Sequence, residues 1–223
     1  MSKRILVVAP HPDDEVLGCG GILKKYSDAG NKTFVLVVTR GTPKLYSDEK
    51  VKNVRQEARH SHTILGVTET IFLDFHAPYL DLVSHSDIAR EISKNIIFYK
   101  IDTLFLPHGG DIHHDHKIVF NAGLVAARPI ENQLIRRIFT YETLSETEWA
   151  APRSDDAFIP THYVNISDSF TSKIEAMRCF TSQLRDFPNS RSIKSIEALA
   201  NMRGSTVGFT HAEAFMTIRV IED

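Results

Sequence analysis

An unbroken apolar run, Ile5-Leu6-Val7-Val8-Ala9, leads directly into His11-Pro12-Asp13-Asp14-Glu15. Five consecutive apolar residues leave no solvent face, so they describe a strand covered on both sides, as in a parallel sheet packed between helices. The same arrangement recurs about a hundred residues on. Thr103-Leu104-Phe105-Leu106, stopped by Pro107, precedes Asp111-Ile112-His113-His114-Asp115-His116. In open α/β sheets ligands bind beyond the carboxyl ends of the strands. Both clusters are therefore expected on one edge of one sheet, converging if their strands are near neighbours.

The rest of the chain alternates strand and helix patterns. Thr33–Thr39 is a second buried strand, and Arg40 to Asp48 is a loop broken by Gly41 and Pro43. Glu49 to Leu65 has apolar residues at helical spacing, closed by Gly66 in the manner of a C-cap. Thr70–Leu73, Arg136–Tyr141 and His162–Ile166 read as strands. Ile22–Ala29, Ile88–Tyr99, His116–Ala127, Ser169–Thr181 and Ile193–Met202 read as helices. Gly18-Cys19-Gly20-Gly21 reads as a turn, since its spacing is not that of a dinucleotide loop. Strands separated by helices give βαβ units and a mostly parallel α/β sheet. At 223 residues the chain suits one domain, 1–223, with the part from about 130 completing the sheet and pocket.

Composition narrows the partners. A formal net charge of −2 supplies no basic field for nucleic acid or an anionic membrane. The segment before Pro10 is too short for a signal-peptide core or a membrane span. Cys19 and Cys179 are far apart and read as reduced thiols, which fits a cytoplasmic protein.

The two clusters carry the chemistry. Imidazole and carboxylate together suit Zn2+, and a catalytic zinc takes three protein ligands and leaves a position for water. His11, Asp14 and one histidine of the second cluster supply such a set, because residues three apart can aim at one ion. A carboxylate that is not a ligand can take the water proton, and Asp13 is placed for that. The other histidine can face the developing oxyanion or the leaving group, with Asp115 holding its far nitrogen. Taken singly, these features have plainer readings. Asp13-Asp14 could cap a helix. His108 reads as a loop histidine, His60, His62, His76 and His85 as surface residues, and His114 as pointing away from the site. The joint occurrence of two such clusters at two strand ends is what favours a site.

These residues carry a family resemblance. Ala9-Pro10-His11-Pro12-Asp13-Asp14-Glu15 resembles the AHPDDE motif of the PIG-L/LmbE-like zinc-dependent deacetylases, with a proline inserted after the alanine. His113-His114-Asp115-His116 resembles their H-x-D-H. Arg55-Gln56-Glu57-Ala58 before Leu65-Gly66, Lys173 with Ala176 and Ser182-Gln183, and Ala212-Glu213-Ala214-Phe215 resemble later family motifs in the same order. The resemblance implies a Rossmann-like fold and hydrolysis of an N-acetyl group on an amino sugar or its conjugate. It implies Zn2+ on His11, Asp14 and His116, with Fe2+ or Co2+ able to use the same ligands. It makes Asp13 the general base, gives His113 the oxyanion or the amine, places Arg55 at the substrate, and implies that Glu15 orients the first loop. It also implies a homo-oligomer as one assembly. Two other classes stay open on the residues alone: a metallohydrolase of an ester or phosphoester, and a binding protein that keeps the fold without catalysis. Thr42–Asp48, Phe75–Leu82 and Tyr141–Phe158, with Trp149 as a stacking face, are the expected pocket walls.

Overall fold

The computed structural model describes residues 2–130 and 135–222. The elements run β1 (Arg4–Ala9), α1 (Asp14–Asp28), β2 (Lys32–Gly41), α2 (Asp48–Leu65), β3 (Glu69–Ala77), α3 (His85–Phe98), β4 (Thr103–Pro107), α4 (His114–Ala126), β5 (Arg137–Tyr141), β6 (His162–Asn165), α5 (Phe170–Arg178), α6 (Ile193–Val207) and β7 (Ala212–Val220). Seven strands form one sheet in the order β3-β2-β1-β4-β5-β7-β6. The first five in that order are parallel, and β7 runs antiparallel to both β5 and β6. No helix among the described residues is long and apolar enough to cross a membrane.

Strand periodicity divides the core. Successive side chains point to opposite faces, so Ile5, Val7 and Ala9 join one cluster while Leu6 and Val8 join the other. The first cluster packs under α1 and α5, with Tyr141, Met177 and Phe180 fully buried in it. The second packs under α3 and α4 through Ile88, Ile92, Val119 and Ala122. The continuous apolar runs in the sequence are the record of this two-sided burial.

Two expectations need correction. Gly18–Gly21 is not a turn: the helix α1 runs through it without interruption from Asp14 to Asp28. The glycines serve close packing instead. A Cβ on Gly18 would fall 2.2 Å from the Tyr141 ring, and one on Gly21 would fall 2.7 Å from the Ile166 side chain. The closing Ala212–Phe215 motif is the start of a full strand, β7, which the sequence reading left unassigned. Gly66 does close α2, at φ 70, in the left-handed region that glycine adopts at little cost.

The late motifs have a shared structural purpose. Lys173 on α5 and Glu213 on β7 form a buried ion pair, Nζ to Oε1 2.6 Å. Lys173 Nζ also donates to the Leu17 carbonyl at 2.8 Å, and the Glu213 carboxylate accepts from the Gly21 and Ile22 amides at 2.8 Å each. Leu17 and Gly21 are i→i−4 partners in a regular helix, so the pair engages the backbone of α1 at its glycine-rich middle. Removing one member strands the other charge in the core, at a typical cost of about 3–5 kcal/mol. We expect Lys173→Met to lower unfolding stability by about that amount in urea titrations. Adding Glu213→Gln, which keeps an acceptor for the amides without the charge, should recover part of the loss. No recovery would show that the charge is not the source.

Candidate metal centre

The pairing of β1 with β4, Ile5 opposite Thr103 and Val7 opposite Phe105, places the two polar clusters side by side. The chain leaving β1 is pinned at once, because the Pro10 carbonyl accepts from both the Thr39 amide (3.1 Å) and the Thr39 hydroxyl (2.7 Å). His11 lies in this turn, Asp14 opens α1, and His116 lies in the first turn of α4. Their donor atoms converge. His11 Nδ1 and His116 Nε2 each lie 3.2 Å from Asp14 Oδ2. The three residues form a group able to hold one metal ion.

Each imidazole is fixed from behind by a buried carboxylate. Asp115 Oδ2 lies 3.0 Å from His11 Nε2, and Asp111 Oδ2 lies 2.8 Å from His116 Nδ1. Asp111 is in turn held by the Thr147 hydroxyl at 2.6 Å. A carboxylate on the outer nitrogen is the usual support of a metal-binding histidine. The Asp115 carboxylate thus grips His11, not His113 as expected; His113 Nδ1 instead accepts from the Asp115 backbone amide at 3.1 Å.

The donor set fits a divalent cation of the zinc type, which takes nitrogen and oxygen ligands. Among the described residues, His116 Nε2 and Asp14 Oδ1 are buried with no hydrogen-bond partner. Unpaired polar atoms in a core are costly, and both belong to residues of the three-residue group. The electrostatics agree. Burial works against a charged imidazole, yet Asp115 and Asp14 lift His11 to about 9. In the same way Asp14 and Asp111 lift His116 to about 10 against its burial. Burial likewise opposes ionisation of Asp14, but the two histidines hold its carboxyl well below the usual range. The cluster is an environment that favours positive charge.

Asp13 is placed differently. Its backbone has φ 107, a value rare for a residue with a side chain. Its amide donates to Glu15 Oε2 at 3.1 Å, Glu15 Oε1 lies 2.8 Å from His62 Nε2, and His62 Nδ1 lies 2.8 Å from the Thr70 hydroxyl. This buried chain holds the strained turn in place, as such strain requires. It corrects the reading of His62 as a surface residue: His62 is buried. His60, His76 and His85 are exposed, as is His114. His108 is buried in its loop, with Nε2 2.8 Å from the Asp156 carbonyl oxygen.

The Asp13 carboxylate is not one of the three grouped residues. Its Oδ2 accepts from Arg191 Nη1 at 2.8 Å, and its Oδ1 is buried without a partner among the described residues. Burial raises its pKa to about 8, although Arg191 pulls it down. Arg191 also donates from Nε to the Ser145 hydroxyl at 2.8 Å, and its Nη2 lies 3.6 Å from Glu146. Burial, with Asp14 nearby, raises Glu146 to about 7. Burial and the neighbouring His11 lower His113 to about 4.

A cavity of about 590 Å3 opens over His11, Asp13 and His113, with Glu146 and Arg191 also in its wall. Tyr46, Ala77 and Pro78, with Glu146, line it from the three expected wall segments. Arg55 is not among the lining residues. Its guanidinium is committed to the Leu73 carbonyl (2.7 Å) and the Asp74 carboxylate (2.8 Å), so it braces β3 instead. Trp149 is exposed and also lies outside the lining. Sequence reasoning missed Arg191, His62 and the roles of Asp111 and Glu146. Asp111 stood inside a cluster already singled out and Glu146 inside an expected wall segment, but Arg191 and His62 carried no spacing signal.

Comparisons with known proteins show what this chain is similar to. The chain is 29% identical over 184 residues to YaiS of Escherichia coli (strain K12), described as an uncharacterized deacetylase, covering 79% of this chain and 89% of that one. It is 26% identical over 204 residues to the diacetylchitobiose deacetylase of Thermococcus kodakarensis, covering 81% and 70%. The N,N'-diacetylchitobiose deacetylase structure from Pyrococcus horikoshii superposes with a TM-score of 0.76 at 22% identity, over 97% of this chain and 84% of that one. The family model described as PIG-L, GlcNAc-PI de-N-acetylase, matches residues 6–127. With more than half its length matched and the motif residues gathered at one strand edge, the chain belongs to the PIG-L family.

Proposed function

We propose that this chain is a metal-dependent amide hydrolase that removes the N-acetyl group of an amino sugar or sugar conjugate, yielding acetate and a free amine. The observation that carries this reading is Asp13: a buried carboxylate with one oxygen unpartnered, beside a three-residue ligand set to which it does not belong. A site built only to bind a metal has no use for such a base. The named relatives that hydrolyse acetylated sugars support the same conclusion.

In this reading His11, Asp14 and His116 hold the cation, with zinc the best match to the donor set and Fe2+ or Co2+ able to replace it. Bound there, it supplies Lewis acidity toward the acetyl carbonyl and lowers the pKa of water to about 7. Asp13 Oδ1 takes the proton from the attacking water. Asp13 then passes that proton on to the departing nitrogen. Arg191 fixes the orientation of Asp13 through Oδ2. His113 accepts a backbone hydrogen bond at Nδ1, so its neutral ring carries the proton on Nε2. That N–H is the donor for negative charge developing on the acetyl oxygen. Asp115 and Asp111 act through His11 and His116, fixing which ring nitrogen faces the cation.

The reading is tested by acetate and amine release from a panel of N-acetylated sugars with zinc-loaded protein. Asp13→Asn should keep its metal and lose about 10²–10⁴-fold in kcat, the usual share of general acid–base catalysis. Hydrolysis by the variant at the wild-type rate would remove Asp13 from the mechanism. A separate expectation concerns the ligands. His116→Ala, dialysed and assayed by plasma mass spectrometry, should retain far less than one metal per chain, and full occupancy would overturn the ligand set.

A further inference from the structure

Two sequence motifs have no place in the ligand set: Arg55-Gln56-Glu57-Ala58 on α2, and Ser182-Gln183 in the segment joining α5 to α6. The fold brings them into contact. Both carboxylate oxygens of Glu57 are taken up by that segment. Oε1 accepts from the Thr181 hydroxyl at 2.7 Å and the Ser182 amide at 3.0 Å, and Oε2 accepts from the Ser182 hydroxyl at 2.5 Å. Hydrogen bonds to an ionised acceptor are the strong ones, so three on one carboxylate make a firm anchor.

The anchored segment leads to Asp13. Gln183 Nε2 donates to the Ser182 hydroxyl oxygen at 3.0 Å. Gln183 Oε1 accepts from Arg191 Nη1 at 3.5 Å, and the same nitrogen donates to Asp13 Oδ2 at 2.8 Å. Nη1 carries two hydrogens, so it can serve both acceptors at once. A backbone link runs alongside, from the Arg185 amide to the Arg191 carbonyl at 3.2 Å. Arg191 belongs to no helix or strand, so its place depends on such contacts. Ser145 and Glu146 meet its Nε and Nη2. The nitrogen that touches Asp13 is the one Gln183 shares, with Glu57 behind it. Asp13 Oδ1 has no partner among the described residues, so the Arg191 contact is what orients the carboxylate.

We propose that Glu57 is a positioning residue for the reaction: acting through Ser182 and Gln183, it holds Arg191 against Asp13 and so fixes how the carboxylate presents its free oxygen. This rests on the reading of Asp13 as the base, whereas the chain of contacts from Glu57 to Arg191 does not.

The test measures acetate release from N-acetylglucosamine and N,N'-diacetylchitobiose by zinc-loaded wild type, Glu57→Ala, Glu57→Gln, Arg191→Ala and the Glu57→Ala/Arg191→Ala double variant. Glu57→Ala should lower kcat by roughly 10- to 100-fold, the scale of loss when a reacting group is misplaced from afar. KM and metal content should be unchanged. Glu57→Gln, which keeps an acceptor for Thr181 and Ser182, should recover most of the rate. In the double variant the Glu57 substitution should add little to the loss from Arg191→Ala, because residues acting as one unit are not additive. Full kcat in Glu57→Ala, losses that multiply in the double variant, or loss of metal overturns the proposal. Should Glu57→Ala not fold, Gln183→Leu cuts the same chain beside Arg191 and carries the same expectation in kcat. A crystal structure of whichever variant folds gives a readout that needs no activity. Separation of Arg191 Nη1 from Asp13 Oδ2 beyond about 3.5 Å sustains the proposal, and an unchanged contact overturns it. If wild type with metal in place releases no acetate, the deacetylase reading fails for these sugars, and the crystal structure alone decides the role of Glu57.

Discussion

The parallel pairing of β1 with β4 is the contact on which the site depends. Both strands end at the same edge, so the turn after β1 and the loop after β4 meet, and neither cluster can build the ligand set alone. β1 also pairs with β2 on its other side, so it is central and buried along its length. The strand order turns outward in both directions from β1 and β4, which is where crevices form in open sheets. The position of the chemistry follows from the topology, and the topology follows from apolar runs that allow only two-sided burial.

Burying Asp14, Asp111 and Asp115 together is costly unless each finds a partner. The two imidazoles supply opposite charge, each with its inner nitrogen 3.2 Å from Asp14 Oδ2 and its outer nitrogen hydrogen-bonded to a second carboxylate. One arrangement thereby does two things. It fixes the rings in orientation, and it keeps the site tuned toward positive charge. Asp13 stands apart from this network, with its backbone at φ 107 and its Oδ2 accepting from Arg191. The two adjacent aspartates differ in partners and in backbone conformation, and the Glu15–His62–Thr70 chain holds the Asp13 amide.

Much of this was legible in the sequence, for identifiable reasons. β1, β2 and β4 announce themselves because two-sided burial removes polar residues from the strand. α2 does so because Gly66 marks its end. The ligand candidates lie within short clusters, where spacing carries information. What was not legible depended on partners remote in the chain. Gly18 and Gly21 look like a turn until Tyr141 and Ile166 are seen against them. His62 looks like a surface residue on a charged helix until Glu15 is found beside it. Arg55 carries a family motif, yet its guanidinium is spent on β3, and the arginine that reaches Asp13 comes from an irregular segment with no pattern to reveal it.

The ion pair of Lys173 and Glu213 sets a limit on modularity. The family model ends at residue 127, which suggests a self-contained unit holding both polar clusters. The helix that begins at Asp14 is not self-contained. Its middle is bonded to side chains from α5 and β7, and its glycines are shaped to Tyr141 and Ile166, all beyond that boundary. The recognisable half of the chain carries the candidate ligands, while the less recognisable half carries the mould into which their helix fits. A graft of the first half onto another scaffold would transfer the motif without the geometry that gives it meaning.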